Sequence, residues 1–251
     1  MLPFQVPVTM HGLYVHESLP DCSHSDMCVD LMCVDSTVSC HADNFRAVQE
    51  GTITVGGVDI STLGLQKQRR GLSIIPQEPF MFTGSVRDNV DPFHIHTDVE
   101  LIHMLEVVGL KDQVALSGGL DGHVAGSGSD CWSLGQQQLI CLARAGLNKV
   151  PVVCLDEATA ALDPHTEKLV LEIAHSLFAE RTVLTIAHRL DAVIEADTVV
   201  VMEQGKVVET GSPAALLGNR SSWFSKLVDM AGPAEAATLR AVAARHFALT
   251  H

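Results

Sequence analysis

Positive charge is scarce: 16 Lys and Arg stand against 30 Asp and Glu, for a formal charge of −14. A surface that tracks a nucleic-acid backbone needs clustered cations, so nucleic acid is not an expected partner. Long apolar runs are missing too. None approaches the roughly 18 residues of a spanning helix, so membrane work would need helices from another polypeptide. The seven cysteines include no CxxC pair, and no secretory signal pattern opens the chain. Both absences fit a reducing cytosol better than a disulfide scaffold. What the 251 residues do allow is one α/β domain with a sizeable core.

The most informative stretch is VVCLDEATAALD, residues 152–163. A run that is apolar at every position, not at alternate ones, reads as a strand buried on both faces in a parallel sheet. Two acids cannot lie unpaired inside such a sheet. Asp156 and Glu157 are therefore expected at its carboxyl edge, where ligands of open α/β folds bind. There one acid can hold Mg²⁺ and the other can polarise a water.

Three further motifs flank this run. CWSLGQQQL (131–139) opens a helix upstream, with Ser133 at an N-cap position. TIAHRL (185–190) follows a second apolar strand, and IIPQEPF (74–80) puts Gln77 just past a third. Together, in this order, the four motifs resemble the Q-loop, signature, Walker B with D-loop, and H-loop of the ATP-binding cassette (ABC) ATPases. FTGSVRDNVDP (82–92), SLGQ in place of SGGQ, and DEATAALD are similar to the second nucleotide-binding domain of the multidrug-resistance-associated exporters. The resemblance covers residues 51–231.

The resemblance implies an α/β fold of the ABC-type P-loop NTPase kind, with a mostly parallel sheet and a helical subdomain inserted at about 80–147. It also implies ATP and Mg²⁺ as cofactors. Asp156 would be the Mg²⁺ carboxylate, Glu157 the general base, His188 the γ-phosphate sensor, and Gln77 a ligand of metal and water. Ser133, Leu134, Gly135 and Gln136 would face the nucleotide of a second nucleotide-binding domain docked head to tail, with Asp163 at that interface. Leu134 stands where SGGQ has its central glycine, a change the subfamily tolerates.

One family element is absent. A phosphate loop, G-x-x-x-x-G-K-[ST], cradles ATP with its amides and lysine. Only Gly12 precedes Gly51, and no lysine precedes Lys67. The expectation is a domain truncated at its amino end, with residues 1–50 a poorly ordered leader without family resemblance. That leader holds Cys22, Cys28, Cys33 and Cys40 with His11, His16, His24 and His41, at gaps too irregular for a zinc ribbon or finger.

In chain order, residues 52–60 read as a hairpin around Gly56-Gly57. Residues 65–70 read as a short helix, and 72–75 as a strand stopped by Pro76. Thr97-Asp98 starts a helix that ends at Gly109, with Val99, Ile102, Leu105, Glu106 and Val108 on one face. His94 and His96 suit either a metal clip or a solvated loop. Residues 117–130 read as a flexible loop; 126–130 read Gly-Ser-Gly-Ser-Asp where subfamily members tend to carry an acid, which would weaken dimer contacts. Gly146 interrupts the signature helix at a cost of about 1 kcal/mol against Ala. The tail, 232–251, reads as a partner helix or a frayed end, and composition does not separate the two.

By resemblance the function is ATP hydrolysis coupled to export of organic anions or drugs, at the cytoplasmic face of a membrane and beside a membrane-spanning domain. Two other readings stay open. The chain is a non-enzymatic half that donates its signature to a complete partner, or it is a non-functional splice or gene-model fragment.

Overall fold

The computed structural model describes residues 13–17, 31–32, 52–55, 58–124, 132–187, 189–203 and 206–250. A six-stranded sheet is its backbone. Strands β1 (Leu13–Glu17), β5 (Leu72–Ile75), β6 (Val152–Asp156), β7 (Thr182–Ala187), β8 (Thr198–Glu203) and β9 (Lys206–Gly211) lie in the order β5-β6-β7-β1-β8-β9. The pairs β5–β6 and β6–β7 are parallel, and the pairs from β7 onward are antiparallel. The α/β class expected from the sequence holds, with the parallel arrangement confined to the half that carries the motifs. There the all-apolar reading of 152–155 is met, since all four of those residues are buried.

Two strands fall within the stretch expected as a leader. β1 fills the position between β7 and β8, and β2 (Leu31–Met32) pairs with β3 (Thr52–Val55). Facing strand edges carry unpaired N–H and C=O groups that need a partner, which a five-residue segment supplies. Its direction matters. Leu13 lies opposite Ala187 and Glu17 opposite Val183, so it is the amino end of β1 that reaches the edge where β6 and β7 finish.

The expected hairpin is β3 with β4 (Val58–Asp59), paired Thr54 to Asp59 and Val55 to Val58. Strand β4 ends one residue early. The Asp59 carboxylate accepts the Ser61 N–H at 2.8 Å, and the chain turns into a 3₁₀ segment at Ile60–Thr62. Helix α1 (Leu65–Arg70) and β5 follow as read.

Helices α2 (Val86–Val90), α3 (Asp98–Val107), α4 (Lys111–Leu116) and α5 (Leu134–Leu147) pack beside β5 and share one apolar cluster with β6. Capping boxes start α2 at Ser85, α3 at Thr97 and α5 at Ser133. The buried face of α3 is the expected one only in part. Leu105 and Val108 are buried, but they are joined by Leu101, whereas Val99 and Ile102 are exposed. Both sets keep helical spacing, and the side facing α5 decides between them. The two histidines are likewise separated: His94 faces Asp88 at 3.6 Å and His96 faces Asp91 at 3.5 Å. No group of three or more metal-ligating side chains occurs among the described residues.

Gly146 has a packing reason. A Cβ there would lie 2.9 Å from both the Leu177 Cδ2 and the Met104 sulfur, so the glycine lets α3 and α6 (Pro164–Leu177) approach α5. At the carboxyl end of α5, Arg181 donates to the carbonyls of Ala145, Gly146 and Asn148 at 2.9–3.1 Å. It thereby satisfies groups that every helix end leaves open. Arg181→Met loses all three bonds and also the guanidinium that lies over the Phe178 ring, 5.3 Å from its centroid. We expect it to cost about 1–3 kcal/mol in a urea melt, and an unchanged midpoint would contradict this account.

A second apolar cluster joins β8 to α7 (Pro213–Gly218), α8 (Trp223–Met230) and α9 (Pro233–Thr250). The tail is not a frayed end but a helix, and it packs on α7 and α8 of its own chain. Ala236, Leu239 and Ala243 are buried, and Arg240 donates to the Leu217 carbonyl, the Ser225 hydroxyl and the Asp229 carboxylate. Among the described residues, no helix is long and apolar enough to cross a membrane.

Candidate functional site

Three parallel strands end at one edge. Ile75 pairs with Leu155, and Asp156 pairs with Ile186, so Gln77, the Asp156-Glu157 pair and the turn after Ala187 all leave the sheet on the same side. Gln77 is exposed; Asp156 and Glu157 are half-buried. His188 lies outside the described residues.

Glu157 has φ 47°, in the left-handed region. A non-glycine residue there costs of order 1–3 kcal/mol and persists only where its surroundings hold it. The holding bonds are visible: Glu157 N–H donates to the Ile186 carbonyl at 2.9 Å, and the Glu157 carbonyl accepts from Ala160 N–H at 3.0 Å. The strain turns the backbone abruptly as it leaves β6.

The signature begins α5. Ser133 is its N-cap: the hydroxyl accepts from Gln136 N–H at 3.2 Å, and the Gln136 side chain accepts from Ser133 N–H at 2.9 Å. Ser133 and Leu134 are exposed, and the first turn holds no acidic residue. An uncompensated helix amino end with an exposed serine is a ready anion site. Gly135 is buried, and a Cβ on it would lie 2.4 Å from the Thr166 Cγ2. The start of α5 is thus pressed against the start of α6.

Asp163 is the N-cap of α6 and accepts from the N–H groups of His165 and Thr166, both at 3.1 Å. Hydrogen bonds from Thr166, the side-chain one first, hold its carboxyl below the usual carboxylate range. The structure therefore gathers the proposed site residues into two groups. Gln77, Asp156 and Glu157 share the sheet edge, while Ser133, Leu134, Gly135, Gln136 and Asp163 share the two helix starts.

Several residues were not singled out from the sequence. Gln138 is buried and donates to the Pro76 carbonyl at 2.9 Å, tying the signature helix to the turn that carries Gln77. Arg144 donates to the carbonyls of Asn89 and Phe80. Burial pushes its guanidinium below its usual value. Glu167, also buried, accepts the Thr159 hydroxyl on Oε1, while Oε2 lies in an ion pair with Arg189 that lacks hydrogen-bond geometry. The third glutamine of a QQQ run, and an arginine beside a histidine, carry no burial signal in sequence. Cys141 and Cys154 are buried; burial pushes the Cys141 thiol up, away from the thiolate form.

Comparison with known proteins agrees with this geometry. A family model described as ABC transporter matches residues 36–160, beginning ahead of the hairpin and ending in the turn after β6. ATP-binding cassette sub-family C member 4 of Homo sapiens is 46% identical over 191 residues, 76% of this chain and 14% of that protein. ABC transporter C family member 3 of Dictyostelium discoideum is 43% identical over 202 residues, 79% of this chain and 14% of its own length. ATP-binding cassette sub-family C member 2 of Rattus norvegicus is 44% identical over 183 residues, 72% of this chain and 12% of its own length. The chain thus matches a small part of much longer relatives.

Proposed function

The chain belongs to the ABC transporter family, as a sub-family C-like nucleotide-binding domain, and from that premise we propose that it is one half of a head-to-tail nucleotide sandwich whose working face is its signature. One observation carries this reading. The start of α5 presents an exposed Ser133 at a helix amino end without an acid in its first turn, whereas the 251 residues hold no glycine-rich loop with a lysine to cradle a nucleotide of their own.

On the nucleotide face, Asp156 stands where the family holds Mg²⁺. Glu157 stands where it activates water, His188 where it senses the γ-phosphate, and Gln77 where it contacts metal and water. These residues do not by themselves fit MgATP. Binding needs amides and a cation against the phosphates, and the slot beside β7 is taken by β1, whose carboxyl end lies at the opposite edge. On the signature face, Ser133, Leu134, Gly135 and Gln136 meet the γ-phosphate held by the partner domain, and Asp163 lies at the contact. Bound there, ATP would supply the phosphoryl group; this chain's part is to place a hydroxyl and a helix amino end against its negative charge.

The process served is ATP-driven export of organic anions or drugs at the cytoplasmic face of a membrane. A membrane-spanning domain would dock near Gln77, where Phe80, three residues on, leaves apolar surface exposed.

The test mixes the chain with an isolated, complete nucleotide-binding domain whose own signature serine is changed to Arg, so that its homodimers are silent. The chain should raise that domain's ATPase rate. Ser133→Arg should abolish the gain, because the bulk fills the oxygen site. Glu157→Gln should leave the gain intact, since the active carboxylate is the partner's. No stimulation at any ratio, or a gain that survives Ser133→Arg, would leave the fragment reading in its place.

A further inference from the structure

We propose that Glu167 and Arg189 are a positioning pair that holds the first turn of α6, and through it the signature face, in its docking geometry. The proposal rests on the signature-donor reading. Glu167 belongs to none of the four motifs and Arg189 only follows the histidine of the last, yet their contacts join the elements that carry them.

Glu167 is 3% exposed, and a carboxylate that deep requires partners. One oxygen accepts the Thr159 hydroxyl at 3.1 Å, from the turn that follows Asp156 and Glu157. The other lies 2.6 Å from Arg189 Nη1. Arg189 is half-exposed and shares its guanidinium with Asp191, whose contact at 2.8 Å is the leading cause of its raised pKa. A single buried acid thus ties the β6 exit turn to the residue that follows His188.

The consequence for the signature runs through one turn of helix. Glu167 sits directly after Thr166, and the Thr166 methyl is the group against which Gly135 is pressed. Asp163 caps the same turn. If Glu167 loses its partners, the turn loses its anchor on the sheet side, and the wall behind Gly135 moves with it. The pair acts through these neighbours and touches no nucleotide, so its effect should fall on how well a bound γ-phosphate is met, not on whether ATP binds the partner.

The experiment compares Glu167→Gln, Arg189→Gln and the double variant with the unchanged chain, all full length. In the mixing assay each single variant should lower the maximal stimulated rate about tenfold, while the partner's KM for ATP stays unchanged. The double variant should be no worse than either single one, the signature of two residues acting as a unit. Hydrogen exchange on the chain alone gives the independent readout. Amides of residues 157–163 and 189–193 should exchange faster in both single variants, while those of α3 and α7 keep their protection.

Additive losses, a raised KM, or exchange that is unchanged or faster everywhere would overturn the pair. Should the unchanged chain fail to stimulate the partner, the signature-donor reading falls, and the exchange pattern alone then decides whether the pair positions these turns.

Discussion

Incubated alone with ATP and Mg²⁺, the purified chain should release phosphate no faster than a buffer blank. Phosphoryl transfer asks a protein for positioning and for charge against the phosphates. A single well-placed cationic group is worth about 10³–10⁵ in rate for this chemistry. The chain lacks the lysine and the loop amides together, so Asp156 and Glu157 have no held substrate to act on. Weak ATP binding should accompany the silence, measured by titration with a fluorescent ATP analogue. Turnover that is present, and that disappears in Glu157→Gln, would mean that other residues of the chain supply a cradle and that its own nucleotide face works.

The second large effect is expected at Gly135, where two tendencies oppose each other. Replacing a helical glycine with alanine ordinarily gains up to about 1 kcal/mol. Here the new methyl would sit 2.4 Å from the Thr166 Cγ2, a distance that side chains do not tolerate. The clash is with a short β-branched residue in the first turn of α6, which has little freedom to swing away. We expect Gly135→Ala to be destabilising by about 1–3 kcal/mol in a chemical melt and to lose most of the stimulated rate. Adding Thr166→Ser removes the offending methyl and should recover the stability. A Gly135→Ala chain as stable as the original would show that the two helix starts are not pressed together.

The sequence carried the parallel half of the sheet and the order of its motifs plainly. Residues 152–155 are apolar at every position and sit in the centre of the sheet, and the acids that follow emerge at its edge, because burying them unpaired would be too costly. Helix starts were equally legible: Ser133 and Thr97 are caps as their side chains suggest. The face of α3 was legible only in part: Leu105 and Val108 are buried as read, but Val99 and Ile102 keep helical spacing with them as well as Leu101 does. Spacing alone says nothing about which stripe meets α5. Nor did composition hint that 13–17 would close the sheet, since a five-residue strand against two neighbours is decided by the unpaired edges awaiting it. Glu167 reads as a favourable acid in the first turn of a helix; its burial depends on Thr159 and Arg189, which only the fold brings together.

Helix α5 can also be considered as a source of electric field. Its carbonyl end is closed by the Arg181 guanidinium, which neutralises the negative pole. Its amide end is left with neutral caps and no acid in the first turn. The field lines that a free helix would share between two poles therefore emerge mainly at Ser133. In a chain of charge −14 this gives a largely repulsive surface a spot that attracts anions. The attraction fades within about a turn of the helix end and is screened by salt. It draws an anion in only at close range.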